Sequence, residues 1–231
     1  MDKKTYLIFG VSKGLGKAIA QQLPNKEDTV FGISRSKPSY LEEQENMRWI
    51  AADLAAPNSA NRILMDEIQD QRVDYFIYNV GIWEDLAFSP DYDFQNVSES
   101  EIITIVNTNI TSCLLTVQSI IANLKQASNA KVIFIGSTWG LDNHKGKEVV
   151  FSASKFALRG IIHALRENLR LHKIGVSVLN LGYLATEPED QKSETLIPLV
   201  DVISALRFII STSNSSCVKE INMPAMQDDN I

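Results

Sequence analysis

Cysteine, histidine and long apolar runs are all scarce in this chain of 231 residues, and each shortage removes a class of function. Two cysteines, Cys113 and Cys217, with no Cys-x-x-Cys pair supply no disulfide framework; they read as free thiols in a reducing cytosol. Three histidines (His144, His163, His172) stand at no metal-ligand spacing, so a metal-free protein is expected. No stretch approaches the ~20 apolar residues that cross a bilayer, and the apolar run of the opening MDKKTYLIFGVSKG is too short for a signal peptide. A basic excess is lacking as well. The net charge of −6 argues against a nucleic-acid surface or an anionic membrane as the main partner. Repeats, low-complexity tracts and linkers that would divide the chain are missing. The expectation is one soluble, cytoplasmic domain over residues 1–231, with 45% hydrophobic and 22% charged residues, enough to build a full core.

Short apolar runs alternate with stretches of helical period. TYLIFG (5–10), TVFGIS (29–34), MRWIAAD (47–53), DYFIYNVG (74–81), KVIFIGS (131–137), VSVLNLG (176–182) and SCVKEINM (216–223) read as strands. Helical patterns lie between them at 14–23, 59–70, 98–125, 149–172 and 198–210, and Ser98 with Glu101 makes a capping box for the third. Strands so continuously apolar, separated by helices, predict a parallel sheet covered on both faces: an α/β, doubly wound, Rossmann-like domain.

The first strand–helix turn, FGVSKGLGKAIA, carries Gly10, Gly14 and Gly16, with Ser12, Lys13 and Leu15 among them. Glycines here let the backbone turn tightly and approach a pyrophosphate, while the helix N-terminus offers unpaired N–H groups. Three glycines alone mark only a tight turn; their place directly after the first strand makes them a dinucleotide cradle. At the end of the second strand stand Ser34, Arg35, Ser36 and Lys37, with no acid to hold a free ribose 2′-hydroxyl. Together with Lys13 this basic corner favours NADP over NAD.

In their order along nearly the whole chain, these features resemble the short-chain dehydrogenase/reductase family. Its Gly-x-x-x-Gly-x-Gly motif is matched by Gly10, Gly14 and Gly16, and its adenine-contacting Asp by Asp53, followed by Leu54. Its Asn-Ala-Gly is matched by Asn79, Val80 and Gly81, its helix asparagine by Asn109, and its active-site serine by Ser137. The lysine of Tyr-x-x-x-Lys is matched by Lys155, and the Pro-Gly-x-x-x-Thr by Gly182 and Thr186, with Leu181 in place of proline. The resemblance implies an NADP-dependent oxidoreductase acting on a small-molecule carbonyl or alcohol. It also implies a homodimer or homotetramer, paired through the helices at 98–125 and 149–172.

Two departures stand out. Phe9 replaces a small Thr or Ser, which alters packing. Phe151 occupies the position of the family's catalytic tyrosine, the group that gives a proton to the carbonyl oxygen. Loss of a general acid costs about 10²–10⁴-fold in rate. Three explanations stand side by side: a deliberate Tyr→Phe inactivation; another donor, such as His144, Tyr183 or a water; or an NADP(H)-binding protein that catalyses nothing and acts as a sensor or interaction partner. The segment EPEDQKSETLI (187–197), where the family carries its substrate lid, is short, acidic and polar, which predicts a mobile segment without an apolar roof. Trp83, Phe88 and Trp139 are candidates for an apolar pocket or for simple packing.

Overall fold

A computed structural model describes residues 2–228 other than 143, 188, 191 and 192, so Pro188, Gln191 and Lys192 of the expected lid lie outside the described residues. Seven strands form one sheet: β1 (Thr5–Phe9), β2 (Thr29–Ser34), β3 (Met47–Ala51), β4 (Tyr75–Tyr78), β5 (Lys131–Ile135), β6 (Gly175–Leu181) and β7 (Glu220–Met223). Their order is β3-β2-β1-β4-β5-β6-β7, with every pairing parallel. The helices are α1 (Gly14–Gln22), α2 (Pro57–Ile68), α3 (Glu99–Val106), α4 (Ser112–Lys125), α5 (Val149–Leu169) and α6 (Leu199–Ser211). This is the doubly wound, Rossmann-like architecture.

All five residues of β1 are buried because both faces of the sheet are covered. Leu7 and Phe9 point into a core that includes Leu64 of α2, Val117 and Ile120 of α4 and Leu158 of α5. Tyr6 and Ile8, one residue out of phase, enter the opposite core with Ile19 of α1 and Leu206 of α6. Phe9, where the resemblance implies a small residue, fits by tilted contacts with Phe76 and Tyr78, centroids 5.6 and 5.2 Å away. The strand order reverses between β1 and β4, and a doubly wound sheet opens a crevice beyond the strand ends at that point.

Several expectations are refined. The last strand is four residues, not eight, and α2 begins at Pro57, where proline's fixed φ suits the first helical turn. The helix expected at 98–125 is interrupted by a π-helical turn, Asn107–Thr111, between α3 and α4. Ser98 does cap α3 through the Glu101 N–H at 3.2 Å. The reciprocal arm of the capping box is not made, because the Glu101 carboxylate accepts from the Asp85 N–H at 2.6 Å instead. Contrary to the sequence reading, the run Glu99–Lys125 is long and apolar enough to pass as a membrane span, with mean hydropathy 1.3. In the fold it is a core helix, with Ile105, Cys113, Val117, Ile120 and Leu124 buried.

Candidate functional site

The glycine turn shapes one wall of a crevice. Gly10 has φ +79°, and a Cβ there would lie 2.1 Å from the Asn79 carbonyl oxygen; one on Gly16 would lie 1.8 Å from the Gly10 carbonyl oxygen. Only glycine lets α1 sit this close to the ends of β1 and β4. The helix starts after Lys13 with no side-chain cap and no acid in its first turn, leaving its N-terminal N–H groups and positive dipole for an anion. Lys13, Gly14 and Leu15 line a cavity of about 540 Å³ together with Asn79, Gly81, Ser137, Phe151, Lys155, Gly182 and Thr186. Gly10, Ser12 and Gly16 form the turn and do not line it. A phosphate-bearing dinucleotide fits this cradle: the turn cannot admit a side chain at Gly10 or Gly16, and among the described residues no side chain caps its helix end.

The expected ribose corner lies outside that cavity. The Ser34 hydroxyl is engaged, donating to the Ser36 carbonyl at 2.8 Å and accepting from the Trp49 indole N–H at 3.0 Å. Arg35 is exposed, and Lys37 pairs with Glu42 at 3.5 Å. Asp53 is exposed and accepts from the Ala55 N–H at 3.1 Å, while Leu54 is buried, its carbonyl accepting from Ser112 at 2.7 Å.

At the other end, α5 carries Phe151 and Lys155 one turn apart on the cavity wall. The Lys155 ammonium donates to the Ile135 carbonyl at 3.3 Å and lies 5.5 Å from the Phe151 ring centroid. Burial pulls its pKa down to about 8, against a smaller upward pull from Cys113. Gly81 makes room for it, since a Cβ there would come within 3.0 Å of Nζ. Ser137 follows β5, partly exposed, its oxygen accepting from the Trp139 N–H at 3.2 Å. Asn109 is buried and does not line the cavity. Its carbonyl accepts from the Ile82 N–H at 2.9 Å, and its amide donates to the Ile82 carbonyl at 2.8 Å and to Ser154 at 3.0 Å. Asn109 therefore fixes the segment after β4 against α5; it is a positioning residue.

Two buried carboxylates, absent from the sequence expectations, hold the loop that follows. Glu84 accepts from the Val150 N–H at 2.8 Å, from Phe151 N–H and from the Tyr92 hydroxyl at 3.1 Å, so it caps α5 from a distant loop. Glu148 accepts from the Phe88 N–H and from the Trp139 indole N–H, both at 2.8 Å. Burial raises the Glu148 carboxyl, but these hydrogen bonds outweigh it and leave it below the ordinary range. An acid just ahead of a helical pattern was a legible sign for Glu148; nothing local marks Glu84.

The latched loop delivers Phe88 at φ +65°, a backbone region that costs a bulky residue ~1–3 kcal/mol. Its ring makes edge contacts with Trp83, Trp139, Phe151 and Tyr183, centroids 5.4–6.3 Å away. All five rings line the cavity. Tyr183 is 46% exposed, and burial, Glu148 and Asp228 raise its phenol. His144, a candidate for another proton donor, is a half-buried loop residue. Its Nδ1 accepts from the Gly146 N–H at 3.1 Å, its Nε2 lies 3.0 Å from the Ser152 hydroxyl, and it does not line the cavity.

A family model described as short chain dehydrogenase matches residues 4–196. The chain is 30% identical over 193 residues to the 3-oxoacyl-acyl-carrier-protein reductase FabG of Buchnera aphidicola, covering 80% of this chain and 75% of that protein. It is 26% identical over 193 residues to the NADPH-dependent pterin aldehyde reductase of Arabidopsis thaliana, covering 80% and 76%. The fold is similar, with TM-score 0.76 and 21% identity, to the crystal structure of a metagenomic short-chain oxidoreductase in complex with NADP, over 97% of this chain and 98% of that one.

Proposed function

The chain belongs to the short-chain dehydrogenase family of oxidoreductases, and from that premise we propose that it binds NADP(H) and acts as an oxidoreductase on a small carbonyl or alcohol. The observation that carries the reading is that one and the same cavity is lined by Lys13, Gly14 and Leu15 of the glycine cradle and by Ser137 and Lys155. Bound there, the dinucleotide would supply or accept hydride. Lys13, Gly14, Leu15 and Thr186 would hold its phosphates, and Lys155 its ribose. Ser137 would hydrogen-bond the substrate oxygen, with the Lys155 cation stabilising charge that develops on it. Lys13 and Arg35, with no acid after β2, favour the phosphorylated nucleotide, and the NADP and NADPH in the names of two similar proteins agree with that choice.

Phe151 favours a second reading, an NADP(H)-binding protein without turnover, because the ring one helical turn from Lys155 carries no hydroxyl. Calorimetry with NADPH and NADH tests what both readings share. Charge-assisted contacts to a 2′-phosphate are worth ~1.5–3 kcal/mol each, so NADPH should bind more than tenfold more tightly. Arg35→Ala should narrow that gap with NADH affinity unchanged. Equal affinities would remove the NADP assignment.

A further inference from the structure

Resting on the oxidoreductase reading, we propose that the substrate of this site is a quinone: a planar, conjugated dicarbonyl seated against the rings of Trp83, Phe88 and Tyr183. The first argument is surface. Trp83, Phe88 and Tyr183 line the cavity yet remain 51%, 39% and 46% exposed, although each could have been buried in an ordinary core. Phe88 is held there in a strained backbone conformation by the carboxylate of Glu148. A flat ring system covers such faces by stacking and edge contacts; a puckered aliphatic ketone does not. Cations suit aromatic boxes too, but the Lys155 ammonium, 5.5 Å from the Phe151 ring, stands at this end and opposes one, while Glu187, the carboxylate lining the cavity among the described residues, is exposed to water.

The second argument is chemical. An aliphatic ketone that gains hydride becomes an alkoxide, too basic to survive without a proton delivered as it forms. Phe151 cannot deliver one. A quinone that gains hydride becomes a hydroquinone monoanion, a phenol-like anion with its charge spread through the ring. In balance, the C–H bond of a reduced nicotinamide dinucleotide would break as its hydride forms an O–H bond at one quinone oxygen; the ring electrons move to the other oxygen, giving this anion plus oxidised dinucleotide, and water supplies the proton afterwards. What the anion needs while it forms is a hydroxyl and a cation, which Ser137 and Lys155 provide. The missing phenol and the exposed rings, two independent features, thus point to one substrate class.

The test is calorimetric titration of the full chain with a dimethylated naphthoquinone and with a decalin dione of the same outline, each with and without NADP+. Blocking the ring positions beside the carbonyls keeps the exposed thiol of Cys217 from adding to the quinone. The quinone should bind at least about tenfold more tightly than the dione. Trp83→Leu and Tyr183→Leu, at half-exposed positions that do not threaten the fold, should each weaken the quinone about two- to tenfold and spare the dione; Trp83→Phe should recover most of the loss. Equal affinity for the two compounds, or indifference to both leucine variants, overturns the proposal. A second readout follows NADPH oxidation. Phe151→Tyr should raise reduction of the dione about a hundredfold and that of the quinone under about threefold, whereas a similar gain on both breaks the link between the absent phenol and the substrate. Failure to bind NADPH removes the oxidoreductase reading, while the quinone titration without nucleotide still decides for or against the aromatic site.

Discussion

The Lys155 ammonium lies 5.5 Å from the centroid of the Phe151 ring and gives its hydrogen bond to the Ile135 carbonyl, 3.3 Å away. A cation over a ring face gains a modest attraction, about 0.5–2 kcal/mol, and it lowers no pKa on a ring that has no proton to lose. The lysine therefore keeps its charge and its place while its usual neighbour is chemically silent.

Restoring the phenol is the direct check. Phe151→Tyr adds one oxygen on the cavity wall, and reduction of aliphatic ketones with NADPH should rise by about two orders of magnitude or more, the scale of a positioned general acid. NADPH affinity should stay within about twofold, because the ring is not assigned to hold phosphate or ribose; a 2-fold change is only ~0.4 kcal/mol. If no carbonyl gains while Ser137→Ala abolishes a native activity, another donor operates, and Tyr183, which lines the cavity, is the next residue to replace.

Burial of Lys155 also predicts a pH effect. Its folded pKa of about 8 lies below the ordinary 10.5, so the folded chain binds fewer protons than the unfolded chain between those values. Stability conferred relative to a neutral residue is then lowest below pH 8 and recovers as pH rises toward 10.5. Lys155→Met should melt higher than the parent at pH 7, with the gap closing by pH 10, and should bind NADPH less well. A gap that widens with pH would mean the ammonium is stabilised where it sits.

Glu84 makes a different kind of contribution. Glu84→Ala leaves the first N–H groups of α5 and the Tyr92 hydroxyl without their acceptor in a buried place, costing ~1–3 kcal/mol. For a domain of this size each kcal/mol lowers Tm by about 2–4 °C. Glu84→Gln keeps an acceptor and loses only the charge at the helix end, so its Tm should fall by less. Equal losses would mean the carboxylate charge, not the hydrogen bonds, secures the loop.

We also expect the chain to self-associate through α4 and α5. Leu114, Leu115, Ile161 and Leu165 line a shallow groove between these helices, and Leu114 is 44% exposed. Light scattering at micromolar concentration should give a dimer or tetramer mass, and Leu114→Glu should reduce it to that of the monomer. A monomeric parent would contradict the expectation.

What the sequence made legible rests on local spacing. Gly10, Gly14 and Gly16 mark a turn because their effect is felt within one strand and one helix; Phe151 and Lys155 share a wall because four residues make about one helical turn. The unseen parts are long-range or strained. Glu84 acts on Val150, 66 residues later, and no local pattern announces such a cap. Phe88 enters a backbone region that glycine or asparagine would have advertised. Ser98 and Glu101 have the spacing of a capping box, yet the Asp85 N–H takes the glutamate, because an unpaired amide nearby competed and won.

The π-helical turn at Asn107–Thr111 has a consequence for how this chain can change length. A π turn holds one residue more than the α-helix around it, and each helical residue advances the chain by about 100°. Here the surplus lets α3 and α4 face their own neighbours while Asn109 reaches Ile82 and Ser112 reaches the Leu54 carbonyl. Deleting one residue would let a regular helix re-form, and the hydrogen-bond ladder alone would be satisfied by it. The rotation would then carry either Asn109 away from Ile82 or Ser112 away from Leu54. The segment is thus a wedge: the extra residue sets the twist between the half of the long helix that braces the site and the half that anchors in the core.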